Sequence, residues 1–189
     1  MASSNVQPRR HLLTVHDFHK MGAAGILGES DRVELIEGEL IDMAPIGVSH
    51  AWMVSRLTNL LVPALKGRAI VSPQNPVRLS DISEPQPDLA LLRPAKSAYR
   101  DVHPAPEDVL LLIEVADTSL TYDRKRKAPL YARHGLLEFW LIDVGRERID
   151  VHRDPAPDGY RQIVQFENGG SISPRAFPDI LISLPELWA

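Results

Sequence analysis

An α/β fold, a central mixed β-sheet flanked by helices in α+β arrangement, is what this sequence predicts, and three observations predict it. Residues 109–115 are apolar at consecutive positions apart from Glu114, the pattern of a strand covered on both faces. Trp52, Met53, Leu57, Leu60, Leu61 and Leu65 recur at helical spacing, which predicts a long helix over 49–66. A second helix, over 122–134, follows the apolar strand and is closed by Gly135.

In chain order, residues 1–12 read as a flexible leader and 13–189 as one domain. Thr14 with Asp17 three positions on predicts a capped helix over 15–24. Residues 32–42 alternate around Glu37-Gly38, the signature of a hairpin in which Leu35 and Leu40 share one face while Glu34, Ile36, Glu39 and Ile41 share the other. Ser49 is the expected N-cap of the long helix and Pro63 a kink. Short strands are expected at 68–72 and 77–79, separated by the turn Pro73-Gln74-Asn75-Pro76, and another at 88–92. After the central strand and its helix, residues 138–143, 148–153 and 159–166 read as a strand meander, and 185–189 as a helical turn.

Composition narrows the function. A chain of 189 residues, 44% hydrophobic and 24% charged, suits one well-filled core. No apolar run is long enough to span a membrane and the first ten residues lack a secretory segment, so a cytoplasmic protein is expected. With no cysteine, disulfides, thiolate zinc sites and cysteine nucleophiles are excluded, and any metal must be held by oxygen or imidazole. A net charge of −4 argues against coating nucleic acid through bulk electrostatics. A glycine-rich phosphate loop, a nucleophile elbow and a His-Glu-x-x-His motif are all missing from the sequence.

The informative residue is Glu114, a carboxylate inside a core strand, which is costly unless a cation or several donors meet it. If the strand starting at Asp88 runs antiparallel to the one ending at Glu114, pairing these two also sets Leu92 opposite Leu110. Directly opposed residues share a face with their Cβ atoms about 5 Å apart. Two carboxylates that close call for a divalent cation, and oxygen ligands suit magnesium, manganese or calcium better than zinc. On the helix that follows, Lys127 shares a stripe with Asp123, Leu130, Tyr131 and His134. Leu130 and Tyr131 must dock that stripe, so Lys127 is carried inward while Arg124, Lys125 and Arg126 point elsewhere. Two acids and a lysine suit phosphodiester hydrolysis.

These residues carry a resemblance. Pro-Asp, then Glu in an apolar strand, then lysine resembles the PD-(D/E)XK nuclease superfamily. More narrowly, the run Val33 to Glu39, Pro87-Asp88-Leu89, Ile113-Glu114-Val115, Asp123-Arg124 through Lys127, Tyr131-Ala132, Gly135 and Glu138 to Asp143 resemble the Uma-type endonuclease family, over roughly 14–153. The resemblance implies a restriction-endonuclease-like core, a homodimer and cleavage of DNA. It also implies Asp88 and Glu114 as metal ligands, Lys127 as the catalytic lysine and Glu34 as a further member. In the superfamily pattern lysine stands two positions after the glutamate; here that position is Ala116, and Lys127 on the helix is the substitute.

Each residue also has a plainer reading. Asp88 alone caps a turn, and Glu114 pairs structurally with Arg124 or Arg126. Lys127 snorkels along an apolar stripe, and Glu34 and Glu39 are exposed hairpin residues. His50 either meets a phosphate or opens a helix. Arg124 and Arg126 either approach a nucleic-acid backbone or lie on a solvated face. Trp52, Trp140 and Trp188 read as core or interface, and Asp143 as a turn residue. The function that follows is a magnesium- or manganese-dependent DNA endonuclease. The alternatives are a non-cutting nuclease-fold protein that binds nucleic acid or a protein partner, favoured by the acidic balance and Ala116, and a hydrolase of small phosphoesters. Leu181, Ile182, Leu184, Leu187 and Trp188 stand as spare apolar residues for a dimer interface.

Overall fold

The computed structural model describes residues 9–28, 30–167 and 169–189; residues 1–8, most of the expected leader, lie outside the described residues. Thr14 and Asp17 form the expected reciprocal cap on α1 (Val15–Ala23). The hairpin follows as β1 (Val33–Ile36) and β2 (Glu39–Asp42), with Leu35 opposite Leu40 and Glu34 opposite Ile41. Glu37 and Gly38 both take positive φ, 51° and 79°, the tight turn whose twist matches paired strands. Gly38 is required twice over, because a Cβ there would lie 2.5 Å from Leu12 Cβ.

α2 (Val48–Leu65) is one residue longer at its start than its spacing predicts, and Gly47 caps it without a side-chain hydrogen bond, so Ser49 is not the N-cap. Met53, Val54, Leu57, Leu61 and Leu65 face the core, whereas Trp52 is exposed. Pro63 falls within the helix, close to its end.

The sheet holds β3 (Ile70–Pro73), β4 (Leu89–Leu92), β5 (Val109–Ala116), β6 (Glu138–Asp143), β7 (Arg148–Ala156) and β8 (Gly159–Phe166), side by side in that order. All neighbours are antiparallel except β5 and β6, which run parallel and so need a crossover rather than a turn. Residues 77–79 form no strand: Val77 and Leu79 are buried, but their N–H groups donate to the loop carbonyls of Pro85 and Ser83. The antiparallel register of β4 on β5 sets Leu89 opposite Ile113, Ala90 opposite Leu112 and Leu91 opposite Leu111. Continued outward, it sets Asp88 against Glu114. At the other end an irregularity puts Leu92 opposite Val109, not Leu110.

Alternation along β5 sorts the core. Leu111, Ile113 and Val115 pack with α2 and the C-terminal segment; Leu112 and Ala116 pack on the other face with Leu130 and Tyr131. Glu114 shares that second face. The crossover there is α3 (Leu120–Tyr122), a π-helical turn over Asp123–Lys127, and α4 (Ala128–Arg133), in place of one uniform α-helix over 122–134. Pro129 explains the distortion: it has no N–H to give Lys125 O and its ring crowds that carbonyl, so the helix widens ahead of it. Gly135, at φ 75°, ends α4 with the Leu136 N–H returning to Tyr131 O.

β9 (Ser171–Ile172) and β10 (Ile182–Ser183) pair before α5 (Leu184–Trp188). Ile182, Leu184 and Leu187 are buried within this chain, which corrects their reading as residues spare for a dimer; Leu181 remains exposed. Among the described residues no helix is long and apolar enough to cross a membrane.

Candidate functional site

Four parts of the chain converge on the second face of the sheet. The hairpin brings Glu34, the junction before β4 brings Asp88, β5 brings Glu114, and the crossover brings Lys127. All four are buried. Lys127 Nζ donates to Glu114 Oε1 at 3.1 Å and pairs with Glu34 Oε2, also at 3.1 Å. The ammonium beside Glu114 thus comes from the crossover and not from β5. Ala116 itself is buried among the apolar side chains of that face.

The π turn is what lets one short segment bury two charges. Asp123 and Lys127 both point inward across it, while Arg124, Lys125 and Arg126 bulge to solvent. Tyr131, one α-helical turn beyond Lys127, donates its hydroxyl to the same Glu114 Oε1. Glu34 also accepts from the Gln86 N–H at 3.2 Å. Asp88 is clamped from two sides: Oδ2 accepts from the Val115 N–H at 2.8 Å, and Oδ1 lies 2.8 Å from His50 Nε2.

These groups line one open cleft of about 370 Å³, with Glu34, His50, Asp88, Glu114, Asp123 and Lys127 among its walls. The electrostatics are lopsided. Burial lifts the Glu114 carboxyl well above its ordinary range; Lys127 opposes this, and Asp88, Asp123 and Glu34 add to it. Burial also pushes Asp123 up to about 6, against the pull of Lys127 and the Ser119 hydroxyl. For Lys127, burial acts downward, but Glu114, Glu34 and Asp123 outweigh it and hold the ammonium charged. One buried cation therefore serves four buried carboxylates. That surplus of negative charge, presented by hard oxygen donors, fits a divalent cation of the magnesium type held by Asp88 and Glu114; such ions keep several waters and need only one or two protein carboxylates.

His50, which sequence alone leaves between a phosphate contact and a helix start, is brought into the cleft against Asp88. Arg124 and Arg126 are not among its lining residues: Arg124 pairs with Asp150 at 2.8 Å, and Arg126 lies 3.5 Å from Glu37. Neither meets Glu114, whose partners are Lys127 and Tyr131. Asp143 accepts the Arg146 N–H at 3.2 Å, as a turn residue does. Two members of the site escape sequence reasoning. Asp123 lies on the Lys127 stripe, which is a signal for it, whereas Tyr131 reads only as an apolar dock and nothing local announces its hydroxyl.

Residues 15–185 match the family described as "Putative restriction endonuclease", Uma2. Among solved structures, a "putative nuclease belonging to DUF820" from Anabaena variabilis ATCC 29413 shares the fold at a TM-score of 0.73 and 19% identity, over 93% of this chain and 97% of the other. No curated protein matches. With the family match running from α1 into α5, the chain belongs to the Uma2 family of restriction-endonuclease-like proteins.

Proposed function

We propose that this protein is a magnesium- or manganese-dependent endonuclease that hydrolyses phosphodiester bonds in DNA. The observation that carries the reading is the set of buried carboxylates Glu34, Asp88 and Glu114 around the single ammonium of Lys127, in a cleft open to solvent. Asp88 and Glu114 hold the cation. When bound, it supplies Lewis-acid stabilisation of the phosphate and makes water more acidic.

The chain's own groups do the rest. His50 and the Val115 N–H fix the Asp88 carboxylate, so its orientation is set before any ligand arrives. Glu34 and Glu114 hold Lys127 in place and charged. With two of its donors engaged by them, a third N–H is left to meet a phosphate oxygen or the attacking water. An ammonium held this firmly acts as a donor and a charge, not as the base. Glu34, steadied by the Gln86 N–H, positions the water from the hairpin side. The reading includes the homodimer that the family resemblance implies, for which sedimentation at micromolar concentration is the check.

The test is cleavage of supercoiled plasmid with manganese or magnesium by the purified wild type, Asp88→Asn and Glu114→Gln. Cutting by the wild type alone supports the assignment; equal cutting by both variants sinks it. A second reading, a protein of this fold that binds nucleic acid or a protein partner without cutting, is favoured by one observation: position 116, where the superfamily pattern has lysine, holds Ala116, buried among apolar side chains. Retained DNA binding with no cutting under any divalent ion would select it.

A further inference from the structure

Glu84 is another buried acid, and one of its two oxygens is unmet. It stands four residues before Asp88, where its N–H donates to Leu35 O at 2.8 Å and locks it beside β1. The side chain is only 2% exposed. Oε1 lies 2.6 Å from His19 Nε2, whereas Oε2 is buried without a hydrogen-bond partner. A carboxylate oxygen in that condition is costly unless a cation reaches it.

The nearest candidates to share a cation are imidazoles. The His19 and His103 rings are 5.8 Å apart, edge to face. One ligand atom from each of His19, Glu84 and His103 lies within 4.8 Å of the other two. Among the described residues no Asp, Glu or His trio of the main cleft is gathered as closely. His19 comes from α1, Glu84 from the segment before β4 and His103 from the loop before β5. The arginines nearby have partners of their own, Arg78 with Asp81 at 2.8 Å and Arg100 with Asp101 at 3.3 Å. Neither guanidinium is paired with Glu84.

We propose that His19, Glu84 and His103 form a second metal site, for a zinc-class divalent cation, separate from the carboxylate cleft. Two imidazoles and one carboxylate are a borderline donor set that suits zinc, unlike the all-oxygen set at Asp88 and Glu114. Zinc bonds of about 2.0–2.2 Å place tetrahedral ligands roughly 3.3 Å apart. Rotation of the two solvent-facing imidazoles toward the fixed carboxylate closes the present spacing. Three protein ligands leave the fourth position to water. The bound ion ties α1 and the loop carrying His103 to the segment that leads into Asp88, and it stabilises the fold by mass action.

The test uses the full chain, stripped with chelator and titrated with zinc alone by calorimetry, with cobalt(II) absorption in the visible as a second readout. Three proteins are compared: wild type, His19→Ala/His103→Ala, and Asp88→Asn/Glu114→Gln. We expect the wild type and the cleft variant to bind one zinc alike. The histidine variant, altered only at solvent-facing rings, loses tenfold or more in affinity and loses the zinc-induced rise in Tm. Glu84→Gln weakens binding in the same direction. Unchanged zinc affinity in the histidine variant overturns the site, as does a wild type that binds no zinc. Loss confined to the cleft variant assigns the zinc to the cleft and overturns it too.

Discussion

Glu114 and Glu138 are buried glutamates in adjacent parallel strands of one sheet, on opposite faces, and they end in opposite circumstances. Glu138 is saturated: Arg153 donates to Oε1 through Nε and Nη2 at 2.8 and 2.6 Å, the Trp140 indole at 3.0 Å, and the Arg175 N–H reaches Oε2 at 2.6 Å. Glu114 has one ammonium, shared with Glu34, and one phenol, with Asp88 and Asp123 close enough to raise its carboxyl further. A buried acid in a core strand is therefore not by itself a sign of function. What separates the two is whether the fold supplies donors enough to meet the charge, and on the Glu114 face it leaves the deficit beside an open cleft.

The comparison predicts which substitutions cost activity and which cost stability. The largest effect is catalytic: Asp88→Asn or Glu114→Gln lowers plasmid cleavage by about 10³-fold or more while circular dichroism stays unchanged, on the scale of losing a positioned catalytic group. Glu138→Gln leaves cleavage per folded molecule intact. A variant at Glu138 that abolishes cutting without unfolding would erase the distinction.

Next is stability on the saturated side. Arg153→Ala leaves Glu138 buried with most of its charge unmet and lowers unfolding free energy in urea by about 3 kcal/mol. Lys127→Met, which strands Glu34 and Glu114 together, costs at least as much near neutral pH. Because Glu114, already raised by burial, can escape by taking up a proton, the cost shrinks as pH falls. A pH-independent cost for Lys127→Met contradicts the raised carboxyl at Glu114.

Two buried groups on the Glu114 face titrate in opposite directions. Asp123, pushed up to about 6 by burial, keeps its proton when the unfolded chain has lost it; that contribution is present below about pH 4 and is lost as pH rises through 6. His152, on β7, is held down to about 4 by burial, so its contribution is full above pH 6.5 and is lost as pH falls toward 4. Urea melts from pH 4 to 7 should show Asp123→Asn removing the loss on the rising side and His152→Leu the loss on the falling side, each on the order of 2 kcal/mol. Parallel pH profiles for both variants and wild type would refute it.

The smallest effects separate buried from exposed partners. Tyr131→Phe removes one donor from Glu114 and lowers stability by about 1–2 kcal/mol. Arg126→Ala, whose contacts with Glu37 and Glu39 lie on the surface, changes it by less than about 1 kcal/mol. A larger effect at Arg126 than at Tyr131 would reverse the ranking of the two regions.

Much of the site is legible in the sequence because strand periodicity is rigid. Once β4 and β5 are taken as antiparallel neighbours, a carboxylate at 88 and one at 114 share a face. The glycine turn at Glu37-Gly38 likewise determines which hairpin residues accompany Glu34. Helical spacing groups Lys127 with Leu130 and Tyr131, and the π turn ahead of Pro129 keeps it on their side. By contrast, the pairing of residues 77–79 with loop carbonyls depends on backbone far away in the chain. So does the burial of Ile182, Leu184 and Leu187 against the sheet, which local apolarity cannot tell from an interface.

The sequence by itself determined most of the elements and the shared face of Asp88 and Glu114, since period and turn chemistry act over a few residues. Only the tertiary structure decided that β6 lies parallel beside β5, that Lys127 meets both Glu34 and Glu114, and that His50 clamps Asp88. It also decided that Glu138 is fully met while Glu114 is not. Those outcomes depend on which distant groups arrive within hydrogen-bonding distance, and no local pattern encodes that.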